Sequence, residues 1–527
     1  MLAKSRGLMA WCVVVVLTAA VADVSAAGKD LRLVEAVKSG QRAAVRTLVQ
    51  QKADLNAAES DGATALHWAA ERDDLETAAL LLGAGARPDV ANDFGVTPLA
   101  LACTNGSAAL VDLLLRSGAD PNASLPSGET PLMTAARTGN AAVVSSLLER
   151  GVAVNAQERS RGQTALMWAA AEGHANIVRL LLQHGADVKA SSKAGFTALL
   201  LAARDADEET SRILLEAGAD VNEAARDGTT ALTVAVIRGH TAYANFLLDQ
   251  GAYVDAGPGF TPLQWAVGDW NVELAGDNTF VRPEGSEWDV VLGLRGKEKY
   301  ELVRLLLDYN ADPNARAQST PRYSGGRPAR GKHAGANALL LEAQIGDAEM
   351  MRLLYEYGAD PLVRSDNGVS CLMYAAGLYA NFAIGYTSVK EEDALRAVKY
   401  CYELGDTDVN RVEKFGETAL HGATYRGLAG SNGLIQFLVD KGARINVKNK
   451  RGWTPVTLAE GIYNNGSNTR NPDALALLMR LGGEPSPPNV ERDAYSVIDE
   501  GGHGTIGSQV IPSVAAPEPA TTTPTPR

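Results

Sequence analysis

Gly162-Gln-Thr-Ala-Leu-Met-Trp-Ala-Ala-Ala-Glu-Gly173-His-Ala-Asn-Ile-Val-Arg-Leu-Leu-Leu-Gln-His-Gly185-Ala-Asp187 is the stretch on which the fold turns. It reads as two short helices. Thr164 is placed to cap the first, because its hydroxyl accepts from an N–H that would otherwise be unpaired. Leu166, Met167, Ala169 and Ala170 give that helix an apolar face, and Gly173 ends it. Ile177, Val178, Leu180, Leu181 and Leu182 form a second apolar helix, which Gly185 stops by adopting the left-handed conformation. Two such helices expose too much apolar surface to persist alone, so the pair needs a neighbour on each side.

The rest of the chain supplies those neighbours. The glycine before the capping residue recurs at Gly62, Gly95, Gly128, Gly162, Gly195, Gly228 and Gly259, at steps of 33, 33, 34, 33, 33 and 31 residues. Thr64-Ala-Leu-His-Trp-Ala69, Thr97-Pro-Leu-Ala-Leu-Ala102, Thr130-Pro-Leu-Met-Thr-Ala135, Thr261-Pro-Leu-Gln-Trp-Ala266, Thr418-Ala-Leu-His-Gly-Ala423 and Thr454-Pro-Val-Thr-Leu-Ala459 repeat one signature. The 33-residue period, the Thr-Pro-Leu-His-x-Ala signature and the Gly-Ala-Asp ending resemble the ankyrin repeat over roughly residues 30 to 483. The resemblance implies an all-α solenoid of about twelve helix–turn–helix units joined by short β-hairpin loops, in which each unit touches only its neighbours.

Composition narrows the function. The chain carries 49 basic and 62 acidic residues, a net charge of −13, which argues against a general nucleic-acid binder because such a protein needs a basic face. Lys4 and Arg6, the apolar run Leu8 to Ala22 and the small residues Val24-Ser25-Ala26-Ala27 read as an export signal over residues 1–27. An uncleaved membrane anchor is the alternative. Cleavage near Ala27 leaves a mature chain without a membrane span, periplasmic or secreted, and the richness in Ala, Gly and Arg has a bacterial look. It also leaves Cys103, Cys371 and Cys401, too few for a disulfide framework. Cys371 opens a first helix and Cys401 lies near the end of the second helix of the same unit, so antiparallel packing would bring them to bonding distance. Two buried thiols are the other reading.

Residues 28–58 read as an amino-terminal capping unit, residues 59–256 as regular repeats, residues 257–483 as repeats with insertions, and residues 484–527 as a flexible tail rich in Pro and Thr. About 28 extra residues, 268–295, separate the two helices of the eighth unit, and about 15 more, 317–334, enlarge the following hairpin. Further excess falls near residues 377–390, 428–433 and 463–472, again between the two helices of a unit, which places four of five insertions along one edge.

Catalytic chemistry is hard to locate. No Cys-x-x-Cys, His-Glu-x-x-His, Gly-x-Ser-x-Gly or Walker-type run occurs, and no catalytic, cofactor or metal residue is assigned. His67 and His421 hold the histidine place of the repeat signature, where the ring bonds to neighbouring loop groups. Trp68, Trp168 and Trp265 share one place, second after a leucine, which other repeats fill with Leu101, Leu201 or Val234; packing is the preferred role. The residue after the hairpin glycine varies without common chemistry, as Ala63, Val96, Glu129, Gln163, Phe196, Thr229, Phe260, Glu417 and Trp453. So does the pair before the interhelix turn, including Arg238 and the neighbours Tyr425 and Arg426. Such variation is read as solvent exposure, and the ankyrin resemblance implies that these places line a concave surface that grips a partner.

Phe196, Arg238, Phe260, Tyr425, Arg426 and Trp453 are therefore the expected partner-binding residues, being of the types that carry interface energy. Arg322, Arg327 and Arg330 join them from the basic hairpin insertion, which either docks an anionic group or is a solvated finger. The resulting expectation is a monomeric, non-enzymatic scaffold for an unidentified protein partner, acting outside the cytoplasm. An enzyme or carbohydrate-binding protein with its site in the insertions at 268–295 and 317–334 is the alternative.

Overall fold

The computed structural model describes residues 30–257, 259–268, 296–318, 333–378, 389–425, 431–464 and 467–490. The chain divides into two units, Met1–Arg226 and Asp227–Arg527. In the first, helix pairs follow one another as Arg32–Lys38 with Arg42–Gln50, Ala65–Glu71 with Leu75–Gly83, Pro98–Asn105 with Ala108–Arg116, Pro131–Thr138 with Ala141–Leu148, Ala165–Ala171 with Ala175–Gln183, and Ala198–Arg204 with Glu208–Glu216. In the second, the pairs are Ala231–Ile237 with Thr241–Asp249, Pro262–Val267 with Gly296–Asp308, Ala338–Ile345 with Ala348–Glu356, Cys371–Ala375 with Glu391–Glu403, Ala419–Tyr425 with Asn432–Asp440, and Pro455–Glu460 with Pro472–Arg480. Within each unit, first helices pack on first helices and second on second. This is the all-α ankyrin arrangement expected from the sequence.

Local chemistry builds each pair. Thr97, Thr130, Thr164, Thr197, Thr230, Thr261 and Thr454 each accept from the backbone N–H three residues on, at the first turn of the helix they open. Proline follows four of them, where its fixed φ suits a helix start and its missing N–H costs nothing. The apolar faces then close: Leu66, Ala69, Ala78 and Leu81 of one unit, and Leu166, Ala169, Val178 and Leu181 of another, are buried. Asn310 replaces the usual glycine after its helix and takes φ +65°, as the left-handed stop requires.

Hydrogen bonds fix the spacing between repeats. Asn155 accepts from the Asp187 N–H at 2.8 Å and donates to the Gly185 carbonyl at 3.0 Å. In the second unit Asn410 does the same for Arg444 and Gly442, and Asn446 for Glu484 and Gly482. Each asparagine thus pairs backbone groups that the end of the next second helix leaves open. The hairpin loops close with a pair of backbone bonds, as from the Ser192 N–H to the Phe196 carbonyl and from the Gly195 N–H to the Ser192 carbonyl. Among the described residues the one paired ladder lies between the last two helices, Ile462–Asn464 against Ser467–Thr469, with Tyr463 opposite Asn468.

Of the insertions, residues 269–295 and 319–332 fall outside the described residues, as do the expected signal 1–27 and the tail from 491. The base of the enlarged hairpin is closed by the Ala317 N–H to the Ala336 carbonyl, and by the Gly335 N–H to the Ala317 carbonyl. Order continues past residue 483. Ser486 bonds to Glu460 and Thr457, and Val490 packs on Trp453 and Leu458. Among the described residues no helix is long and apolar enough to cross a membrane.

Candidate partner-binding face

The place two residues after the signature leucine organises the candidate site. In the first unit it holds Trp68, Leu101, Thr134, Trp168 and Leu201, and Trp68, Leu101 and Trp168 remain half-buried. Each tryptophan has a cation from the preceding repeat over its ring, Lys38 at 4.3 Å from Trp68 and Arg137 at 5.5 Å from Trp168. Glu59 binds both partners of the first pair, accepting from the Trp68 indole N–H at 2.7 Å and from Lys38 at 3.0 Å. Glu129 lies 4.0 Å from Arg137 and accepts from the Thr134 hydroxyl. The first is a closed cluster of indole, cation and carboxylate; in the second Glu129 reaches Arg137 and Thr134 but not Trp168, whose buried indole N–H has no hydrogen-bond partner. Packing alone does not account for Trp68 and Trp168. The signal that would have revealed them is a cation at the end of the preceding first helix together with an acid in the hairpin.

In the second unit the same place is closed. Trp265, Leu341, Tyr374 and Leu458 are buried. Gly422 holds the place in its helix, and a Cβ there would come within 2.7 Å of the Leu378 backbone, so the chain leaving the neighbouring helix crosses directly over it. The packing role expected for Trp265 fits this burial.

Three expected contact residues are corrected. Phe196, Phe260 and Trp453, expected to face solvent, are only 8%, 1% and 2% exposed. The physical reason lies in the hairpin. The residue after the glycine uses its carbonyl to close the turn, as Trp453 does towards the Asn449 N–H, and its side chain is turned onto the helices. The Phe260 ring lies 5.8 Å from Trp265, and Trp453 packs with Leu458. At the same place Val96, Glu129, Gln163 and Glu417 stay half-buried, whereas the three aromatic copies are turned fully inward. Of the pair before the interhelix turn, Glu71, Arg72, Arg137, Thr138 and Asp205 are exposed, whereas Arg204, Ile237 and Arg238 are half-buried. Arg322, Arg327, Arg330 and Arg426 lie outside the described residues, as does the side chain of Tyr425.

The histidines of the signature are structural hubs. His421 accepts from the Thr418 N–H through Nδ1 at 3.1 Å and donates from Nε2 to the Trp453 carbonyl at 3.2 Å. His67 repeats this with Thr64 and Val96. Burial disfavours the charged ring and pushes His421 down to about 4, against weaker opposition from the carbonyls of Trp453 and Val447. Gln264 fills the same place and makes equivalent bonds to Thr261 and Ala315.

One constellation was not legible. Glu342 is fully buried where other first helices carry alanine (Ala69, Ala102, Ala135, Ala169), and Lys299 reaches it at 2.5 Å while also donating to the Val267 carbonyl at 2.7 Å. Residues 268–295 run between Val267 and the helix that bears Lys299, so this ion pair stands at the base of that insertion. Cys371 and Cys401 form a disulfide with Cα atoms 5.7 Å apart, and Cys103 is free and buried. Among the described residues no three His, Cys, Asp or Glu side chains converge as a metal site.

Comparison with known proteins bears on the whole arrangement. The family of ankyrin repeats, in copies of three, matches overlapping segments 33–124, 70–158, 99–192, 132–225 and 199–275, and the single ankyrin repeat matches 415–450. Together these cover more than half of the chain. Among solved structures, the human ASB11 ankyrin repeat domain is 28% identical over 42% of this chain and 98% of its own, with a TM-score of 0.39. The ankyrin repeat domain of Bcl-3, described as a unique member of the IkappaB protein family, is 33% identical over 39% of this chain and 93% of its own, with a TM-score of 0.36. No curated protein matches.

Proposed function

We propose, from the premise that the chain belongs to the ankyrin-repeat family, that it is a non-enzymatic scaffold of about twelve repeats that holds a protein partner outside the cytoplasm. Ankyrin repeats imply protein–protein interaction. The observation that supports a particular face is the pair of half-buried indoles in the first unit, Trp68 and Trp168, each under a cation from the preceding repeat, with Glu59 bound to the first. Tryptophan and arginine in such settings carry a large share of interface energy. Arg322, Arg327 and Arg330 of the basic insertion, and separately Tyr425 and Arg426, are further contacts in this reading. Export rests on the amino-terminal sequence alone.

The test is affinity capture with residues 28–527 as bait from the exported fraction of the source cells. One protein retained in stoichiometric amount, and lost from the Trp68→Ala/Trp168→Ala variant, supports the reading. A partner held equally by that variant removes the proposed face. Intact mass of the natural product checks export: a chain starting near Ala27 or Gly28 is expected, and retention of Met1 rules out cleavage. Neutralising Arg322, Arg327 and Arg330 together is expected to weaken binding and flatten its salt dependence; unchanged binding reduces the insertion to a solvated finger.

A further inference from the structure

Three cations of the first unit occupy one place in three successive hairpins. Arg159, Lys193 and Arg226 are exposed, and each donates its backbone N–H to the preceding hairpin tip: Arg159 to Ser127 at 2.6 Å, Lys193 to Arg161 at 2.7 Å, and Arg226 to Ala194 at 3.1 Å. The tip glycines Gly128, Gly162 and Gly195 have φ of +85°, +72° and +86°, and a Cβ on them would meet the Cγ of Arg159, Lys193 and Arg226 at 3.0, 3.1 and 3.1 Å. Each cationic stem therefore lies along the bare glycine of the tip before it. That packing sets the three charges in one row, and Arg161 adds a fourth beside the first. The row is not imposed by the fold, since the preceding hairpins carry Asp93 over Gly62 and Pro126 over Gly95 at this place.

No ion pair neutralises the row. Among the described residues none of the four cations forms an ion pair; Arg159 and Lys193 reach only backbone carbonyls, of Pro126 and Arg159. Of the two carboxylates adjacent to the row in sequence, Asp227 is exposed and accepts from the Thr229 N–H, and Glu158 is buried and turned inward, accepting from the N–H groups of Ser160, Arg161 and Gln163. Those donors hold it below the usual carboxylate range although burial pushes the other way. It stays ionised as part of the turn, and is not offered to the row.

We propose that this row docks an extended acidic segment of a protein partner that carries a carboxylate at every third residue. Stacked helices repeat at about 10 Å, and an extended chain advances about 3.3 Å per residue, so a three-residue spacing keeps one carboxylate opposite each tip. A net charge of −13 opposes a polynucleotide, which needs a broad basic face. The inference rests on the scaffold reading and names the chemistry of its partner.

The probe is a labelled peptide with glutamate at every third residue, titrated by fluorescence polarisation against residues 28–527. The variant is Arg159→Glu/Lys193→Glu/Arg226→Glu, and the control reverses Arg116, Arg179 and Arg212 on second helices. Both must keep the wild-type circular dichroism spectrum. The expected result is binding that weakens at least about tenfold in the row variant, about 1.4 kcal/mol, and less than about twofold in the control. A peptide of the same composition with its glutamates contiguous is expected to bind more weakly than the spaced one. Absence of peptide binding, equal loss in the control, or tighter row-dependent binding of oligo(dT) or of phosphatidylglycerol vesicles overturns the inference. If a captured partner is held unchanged by the row variant, the row fails while the scaffold stands. Row-dependent peptide binding with no protein captured leaves the row and removes the evidence for the scaffold.

Discussion

Replacing His421 by glutamine should remove a defined part of the protein's acid sensitivity. The ring is buried, accepts from the Thr418 N–H and donates to the Trp453 carbonyl, so only its neutral form fits. Its folded value is pushed from 6.5 down to about 4 by burial. The unfolded chain takes up the proton near 6.5 and the folded chain only near 4, so stability is full above about pH 6.5 and declines as pH falls through that window. The interval corresponds to about 3 kcal/mol lost by pH 4. Glutamine is the informative replacement because Gln264 already serves in the same place, with its oxygen on the Thr261 N–H and its amide on the Ala315 carbonyl. The variant should match wild type within about 1 kcal/mol at pH 8 and exceed it by about 2–3 kcal/mol at pH 4. Because repeat arrays need not unfold as one unit, the assay is hydrogen exchange of amides in Ala419–Tyr425 and the Trp453 hairpin, with an NMR titration of the ring. A ring that titrates near 6.5, or variant and wild-type stabilities that fall in parallel from pH 7 to pH 4, refutes the reasoning.

Further outcomes follow from the second unit and the cysteines. The disulfide joins residues 30 apart in sequence, and closing a loop of that size is worth roughly 3–4 kcal/mol, so Cys371→Ala/Cys401→Ala should lower the denaturation midpoint of that region. Thiol counting on unfolded residues 28–527 should find one free thiol, and three would end the assignment; Cys103, pushed up to about 12 by burial, should resist alkylation until the protein unfolds. Glu342→Ala restores the alanine of other repeats yet strands Lys299, at an expected cost of about 3–5 kcal/mol. Lys299→Met/Glu342→Ala should recover most of it in chemical denaturation, and a single variant costing under about 1 kcal/mol would show that the pair is not buried as described.

The sequence by itself determined the helices, their caps and their order, because those features are local. Thr164 finds its N–H three residues away, the left-handed stop at Asn310 needs only its own backbone, and a 33-residue period forces each apolar face onto its neighbour. It also placed the histidines correctly, since their bonding is built into the signature. Which side chains face solvent was decided only by tertiary structure. In a single chain, a place that varies because it is free looks the same as one that varies while packed, and Phe196, Phe260 and Trp453 are packed. Partners distant in sequence were hidden for a related reason. Lys38 meets Trp68, Lys299 meets Glu342, and Arg159, Lys193 and Arg226 fall into one row only when repeats stack and bring residues tens of positions apart to a few ångströms.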